Sequence, residues 1–178
     1  MRIFTAVAFK KETREFLGGL KGYVESAYSG ARYTEEYNFH MTLVFIGESD
    51  RETVNRVIRA TAGTSGEIQR FEMEMGGLSS FRRRNKHTVY CRARHTVELD
   101  ELYETMCKKL DDEGVVIDAK TFRPHITMAR QAVRTGNLDE IKTPVHICYL
   151  DEICVMESTR VNGVLRYIPL AKFKLGGR

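Results

Sequence analysis

Along the chain, apolar residues fall into two rhythms: every second position in some stretches, every third or fourth in others. Residues 2–9, RIFTAVAF, read as a buried strand. From Glu12 onward Phe16, Leu17, Leu20, Tyr23, Val24 and Ala27 recur at helical spacing, despite Gly18, Gly19 and Gly22. FHMTLVFIG, 39–47, is a strand with Phe39, Met41, Leu43 and Phe45 on one face and His40, Thr42, Val44 and Ile46 on the other. Ser49 and Glu52 form a capping box opening a helix that carries Val54, Val57, Ile58 and Thr61. RFEMEM, 70–75, and HTVYCRAR, 87–94, alternate like strands. Leu99, Leu102, Tyr103, Met106 and Leu110 define an amphipathic helix stopped at Gly114. VVID, 115–118, reads as a short strand and HITMAR, 125–130, as a longer one. Two final strands flank Asn162-Gly163, a two-residue hairpin signal, and Pro169 marks the last strand as an edge or a bulge.

A shift of 85 residues lays the first half on the second. Strand 3–9 falls on 88–94, the Leu17 helix on the Leu102 helix, and His40 with Thr42 on His125 with Thr127. Identity is almost absent elsewhere, so the repeat is one of architecture. A pseudo-twofold arrangement of the halves would set the two His-x-Thr pairs facing each other across one groove.

The chain of 178 residues suits one domain, 1–178, with two lobes sharing a core. No apolar run approaches the roughly 20 residues that span a bilayer. The apolar start is broken too soon by Lys10, Lys11 and Glu12 to be a secretory signal, and the reading is a soluble, cytoplasmic protein. Cys91, Cys107, Cys148 and Cys154 show no Cys-x-x-Cys pair and no zinc spacing; they read as reduced thiols. A net charge of +4 gives a mild bias towards polyanions such as RNA.

Period two puts His40 with Thr42 on one strand face and His125 with Thr127 on another. Two imidazoles across a cleft suit in-line displacement at phosphorus, one accepting a proton from the attacking oxygen and the other donating to the departing one. The threonine hydroxyls suit the nonbridging phosphate oxygens. A lone His-x-Thr in a strand is incidental more often than not; two at equivalent places in a repeat favour catalysis. The nearby carboxylates Glu35, Glu36, Glu48 and Asp118 lack metal-site spacing, so the chemistry as read needs no metal or other cofactor.

NFHMTLVFIGE and FRPHITMAR resemble the two signature motifs of the 2H phosphoesterase superfamily. Within it the chain is most similar to the RNA 2′,3′-cyclic phosphodiesterases, historically called 2′-5′ RNA ligases. The likeness extends to RIFTAVAF, to LSSFRRRNKHTVYCRAR and loosely to ESTRVNGVLRYIPLAKFKL. It implies an α+β, bilobal fold: two antiparallel sheets in pseudo-twofold arrangement around a central cleft, helices outside. It also implies opening of the 2′,3′-cyclic phosphate end of RNA to a 2′-phosphomonoester without a metal; the chain itself is read as a monomer. His40 and His125 match the motif histidines, and Thr42 and Thr127 the motif threonines. Arg130 matches an arginine that follows the second motif, and the resemblance assigns His40 as acid and His125 as base. Strict alternation would turn Arg130 away from His125, so the strand must end, twist or bulge near Ala129. Ile46 and Met128 stand where leucine is frequent.

Arg82, Arg83 and Arg84, with Lys86, Arg92 and Arg94, form a basic segment free of acidic residues. It reads either as a solvated loop or as a landing strip for an RNA backbone. Phe4 and Phe9 read as core before they read as base-stacking residues, and His87, His95 and His146 as ordinary surface or strand residues. Arg123 is a phosphate contact or a surface residue on equal terms. The rival readings are a 2′-5′ RNA ligase or 2′,5′-phosphodiesterase on the same site, and a non-catalytic RNA-binding module. The last has no use for two matched proton carriers.

Overall fold

A computed structural model describes residues 1–118 and 121–176. The first strand, β1 (Arg2–Ala8), leads into two short helices, α1 (Lys11–Gly19) and α2 (Lys21–Glu25). The single helix expected there breaks at Leu20, within the glycine-rich run, where every Gly lowers helix propensity. Two-residue strands β2 (Tyr28–Ser29) and β3 (Arg32–Tyr33) follow, then a 3₁₀ turn, Glu36–Asn38. Next come β4 (His40–Glu48), α3 (Arg51–Glu67) and β5 (Phe71–Arg83). The second half holds β6 (Lys86–Ala93), α4 (Val97–Asp112), β7 (His125–Arg134), β8 (Val145–Leu150), β9 (Glu152–Val161) and β10 (Val164–Lys174). No helix among the described residues is long and apolar enough to cross a membrane.

The strands form two antiparallel sheets, ordered β4-β1-β9-β10 and β2-β7-β6-β5-β8, with β3 pairing β7. In each, a His-x-Thr strand (β4 or β7) pairs with the strand that opens its half of the chain (β1 or β6). The third and fourth strands are β9 and β10 in one sheet and β5 and β8 in the other. The α+β, two-sheet architecture with matching strand order is thus the expected one. The repeat register needs one adjustment. His40 pairs with Ala8 and His125 with Arg92, so β1 superimposes on β6 with a shift of 84 rather than 85.

α3 packs on β1, β9 and β10, while α4 packs on α3 and β4. Leu17 of α1 and Leu102 of α4, equivalent in the repeat, are both fully buried. They share one apolar cluster with Ile3, Met41, Met73, Met106 and Ile126.

Several local readings change. The cap of α3 is Asp50, whose carboxylate accepts from the Thr53 N–H at 2.8 Å; Ser49 instead donates to the Gly47 carbonyl. β5 runs on from the expected RFEMEM to Arg83 because Gly76 and Gly77, with Gly77 at φ +72°, absorb a register shift against β6 instead of ending the strand. The segment 115–118 is not a strand. Its first residue closes a Schellman motif on α4, with Val115 N–H donating to Leu110 and Gly114 at φ +67°. β8 is a strand the patterning passed over. Asn162 and Gly163, both at positive φ, make the expected two-residue turn. Pro169 fulfils both readings, lying on the edge strand β10 at a register shift.

Candidate active site

β4 and β7 approach one another where the two sheets meet. Each carries its histidine at its first residue, and each histidine is held alike. The His40 Nδ1 lies 2.7 Å from the Asn38 carbonyl oxygen, and the His125 Nδ1 lies 2.7 Å from the Arg123 carbonyl oxygen. A carbonyl only accepts, so Nδ1 carries the hydrogen in both rings. Nε2 is then the atom through which each imidazole can take or give a proton.

Aromatic rings fix both imidazoles further. His40 sits 4.9 Å from the Phe4 ring and 4.7 Å from the Tyr167 ring. His125 sits 5.2 Å from Phe81 and 5.4 Å from Tyr90, edge to face with both. Asn38, itself buried, ties this arrangement to the far strand. Its side-chain amide donates to the Leu165 carbonyl and its side-chain oxygen accepts from the Tyr167 N–H, each at 3.0 Å. The same residue therefore anchors His40 through its backbone and Tyr167 through its side chain.

Arg130 reaches the cleft by a bulge. Against β6, Thr127 pairs with Tyr90 and Ala129 with Val89, so Met128 is the extra residue. The added residue reverses the alternation and turns Arg130 to the face of His125 and Thr127. Gln131 follows at φ +56°, a costly backbone conformation for a residue with a side chain. β4 does the same at Leu43, between Thr42 opposite Ala6 and Val44 opposite Thr5. There the buried Thr5 hydroxyl accepts from the Val44 N–H at 3.1 Å. This second bulge overturns one expectation: Phe45 is not on the core face with Met41. It is 49% exposed and lines the cleft beside Thr42.

One hollow is lined by Phe4, His40, Thr42, Phe45 and Arg130, and a second by Thr42, Phe45, Phe81, Arg123 and His125. Thr42 and Phe45 are common to both, so the two histidines open onto one continuous cleft. Burial pushes His40 down to about 4, against the pull of the Asn38 carbonyl, and the Arg130 and His125 charges push the same way. His125 is lowered as well, by burial first and by Arg130, with the Arg123 carbonyl opposing. The guanidinium thus lies within electrostatic reach of both rings.

Arg82, Arg83 and Arg84 are exposed on the β5–β6 hairpin. Arg83 and Arg84 line a third hollow with Lys86, His87, Arg130 and Gln131, which joins the basic hairpin to the cleft. The remaining histidines have local partners: His87 with Ser80, His95 with Asp100, and His146 with Thr13. Phe4 and Phe9 are buried, as read. Among the described residues no three His, Cys, Asp or Glu side chains converge to hold a metal ion.

The LigT-like phosphoesterase family matches residues 7–91. A Thermotoga maritima RNA 2′,3′-cyclic phosphodiesterase is 27% identical over 131 residues, 73% of this chain and 70% of that one. An Archaeoglobus fulgidus protein of the same name is 28% identical over 131 residues, 73% of this chain and 72% of that one. The chain spans only 41% of the Geobacillus stearothermophilus relative and 55% of the Bacillus subtilis one. A Thermus thermophilus crystal structure superimposes with a TM-score of 0.80 at 23% identity, covering 99% of each chain. Escherichia coli LigT complexed with 3′-AMP superimposes with a TM-score of 0.75 at 20% identity, over 99% of this chain and 98% of that one. Residues 7–91 are thus similar to the LigT-like phosphoesterases, and the whole chain shares the fold of the solved structures.

Of the residues singled out from the sequence, His40, Thr42 and Arg130 line one hollow and Thr42 and His125 the other, while Thr127 stands two residues after His125 on β7. Sequence reasoning passed over Tyr167, Phe81, Tyr90 and Asn38, which hold the imidazoles, and it turned Phe45 the wrong way.

Proposed function

We propose that this protein hydrolyses the 2′,3′-cyclic phosphate at an RNA 3′ end to a 2′-phosphomonoester, with the whole chain working as one two-lobed unit. The observation that carries this reading is the matched pair of Nδ1-anchored imidazoles opening Nε2 onto one cleft. Neutral His125 takes a proton from water through Nε2 as the water oxygen bonds to phosphorus. The P–O3′ bond breaks, and protonated His40 gives its Nε2 proton to the departing O3′. Arg130 and the Thr42 and Thr127 hydroxyls hold the nonbridging oxygens, whose charge redistributes in the transition state.

Burial disfavours the proton on His40. The substrate phosphate brings a negative charge beside the ring and offsets that penalty, so the acid becomes charged as substrate binds. Arg130 answers the phosphate charge and the two imidazoles move the protons, so each role usually given to a metal ion has a protein group to fill it. The names of the relatives support the choice of RNA as substrate.

The test is an oligoribonucleotide ending in 2′,3′-cyclic phosphate, incubated with enzyme in excess EDTA and its terminus identified by ³¹P NMR. The expected product is the 2′-phosphate, formed at the same rate with or without chelator. A 3′-phosphate product, or activity lost in EDTA and restored by a divalent ion, would overturn the reading.

A further inference from the structure

The two sheets end on long strands that are built differently. β10 carries Arg166, Pro169 at a register shift, Lys172 and Lys174, devices that keep an edge from pairing with another chain. β8, at the end of the other sheet, reads VHICYL: no acidic residue, lysine, arginine or proline, and no register shift against β5. Its outer face is apolar and open, with Val145 61%, Ile147 60% and Tyr149 57% exposed. The opposite face is taken by α1, where the Thr13 hydroxyl lies 3.0 Å from the His146 Nε2 and Phe16 stacks on the ring.

The backbone is open at the same residues. The Glu74 carbonyl accepts from the Arg94 N–H, so Glu74 bonds towards β6. Bonding direction alternates along a strand, so Met73 and Met75 bond towards β8, to Cys148 and His146. Val145, Ile147 and Tyr149 therefore turn N–H and C=O away from β5, to the free edge. A second copy of β8 laid antiparallel, with the twofold axis at Ile147, meets all of these groups. Ile147 then opposes Ile147 of the second copy, Val145 opposes its Tyr149, and each pair exchanges both backbone bonds. Pairs of β-branched and aromatic residues stabilise such a ladder, and no like charges face each other in it. The flanks match in sign. Exposed Lys142, ahead of one β8, comes to the end where Asp151 and Glu152 follow the other, carboxylates that Lys10 and Lys172 reach within their own chain. We propose that β8 is a homodimer edge, which joins two copies of this chain through one continuous antiparallel sheet. The monomer expected from the sequence is the dissociated form. The cleft strand β7 lies beyond β5 and β6 from this edge, so both clefts stay open in the dimer.

The test is sedimentation velocity on the whole chain at concentrations from about 1 μM to 1 mM. Wild type shifts from monomer to dimer across the series. Ile147→Lys sets two like charges against each other and raises the dissociation constant about tenfold or more, and Ile147→Glu does the same. Because Ile147 faces its own symmetry mate, an equal mixture of these two variants pairs opposite charges and dimerises again. The side chain is exposed, so neither substitution disturbs the core, and circular dichroism verifies the fold. A wild type that stays monomeric throughout leaves the edge to a foreign strand and overturns the proposal. A dimer that both variants keep uses another surface and overturns it too, as does a mixture that fails to associate.

Discussion

Leu43 and Met128 stand 85 residues apart in matching places, and each is the unpaired residue of a β-bulge beside a His-x-Thr pair. The two bulges shape the cleft. One turns Arg130 towards the imidazoles, and the other turns Phe45 out of the core.

Arg130 depresses both imidazoles, so removing its charge raises the pKa of His40 and of His125. Arg130→Gln therefore moves the bell-shaped pH profile of kcat/KM to higher pH as it lowers the maximum. With transition-state charge uncompensated, the loss in turnover is on the order of 10²–10³-fold. Steady-state rates between pH 4 and 8 together with ¹H–¹⁵N titration of the two rings check this. Unmoved ring pKa values in the variant would separate Arg130 from the histidines.

Burial of His40 also ties stability to pH. The folded protein binds a proton on His40 less tightly than the unfolded chain, whose value is near 6.5, so unfolding takes up a proton in acid. The contribution is present above pH 6.5 and is lost as pH falls towards about 4. His40→Gln should flatten the fall in denaturant midpoint over that interval and leave the slope above it alone. Urea titrations at several pH values measure it; parallel curves for the two proteins would contradict it.

The β5–β6 hairpin predicts a difference between long and short substrates. Replacing Arg82, Arg83 and Arg84 together by Gln weakens binding of an oligonucleotide and lowers the slope of log affinity against log salt. Turnover of a cyclic mononucleotide, which has no flanking phosphates, changes by less than about twofold on the same electrostatic argument. Equal losses on both substrates would mean that the hairpin supports the site itself.

Much of this was legible in the sequence because it depends on local period. The helix Val97–Asp112 buries one face through Leu99, Leu102, Met106 and Leu110, and its patterning shows it. The paired His-x-Thr motifs betrayed the cleft because a repeat fixes relative position even when sequence identity is gone. Bulges escaped, since an extra residue at Leu43 depends on what Thr5 of the neighbouring strand offers, not on β4 alone. Only the need for Arg130 to face the phosphate flagged the bulge at Met128, and nothing comparable pointed to Phe45. Asn38 and Tyr167 were missed because they meet through a contact 129 residues apart.

The central claim is that His40 and His125 carry opposite proton transfers in one cleft. It is tested most directly by single-turnover hydrolysis of a 2′,3′-cyclic phosphate by His40→Ala, His125→Ala and the double variant, each verified as folded by circular dichroism. His95→Ala, whose ring pairs with Asp100 away from the cleft, is the control. Each single variant should lose about 10²–10⁴-fold, and the double variant much less than the product of the two, because a relay missing one end gains little from the other. A folded His40→Ala or His125→Ala protein that turns over the cyclic phosphate at near wild-type rate would contradict the account.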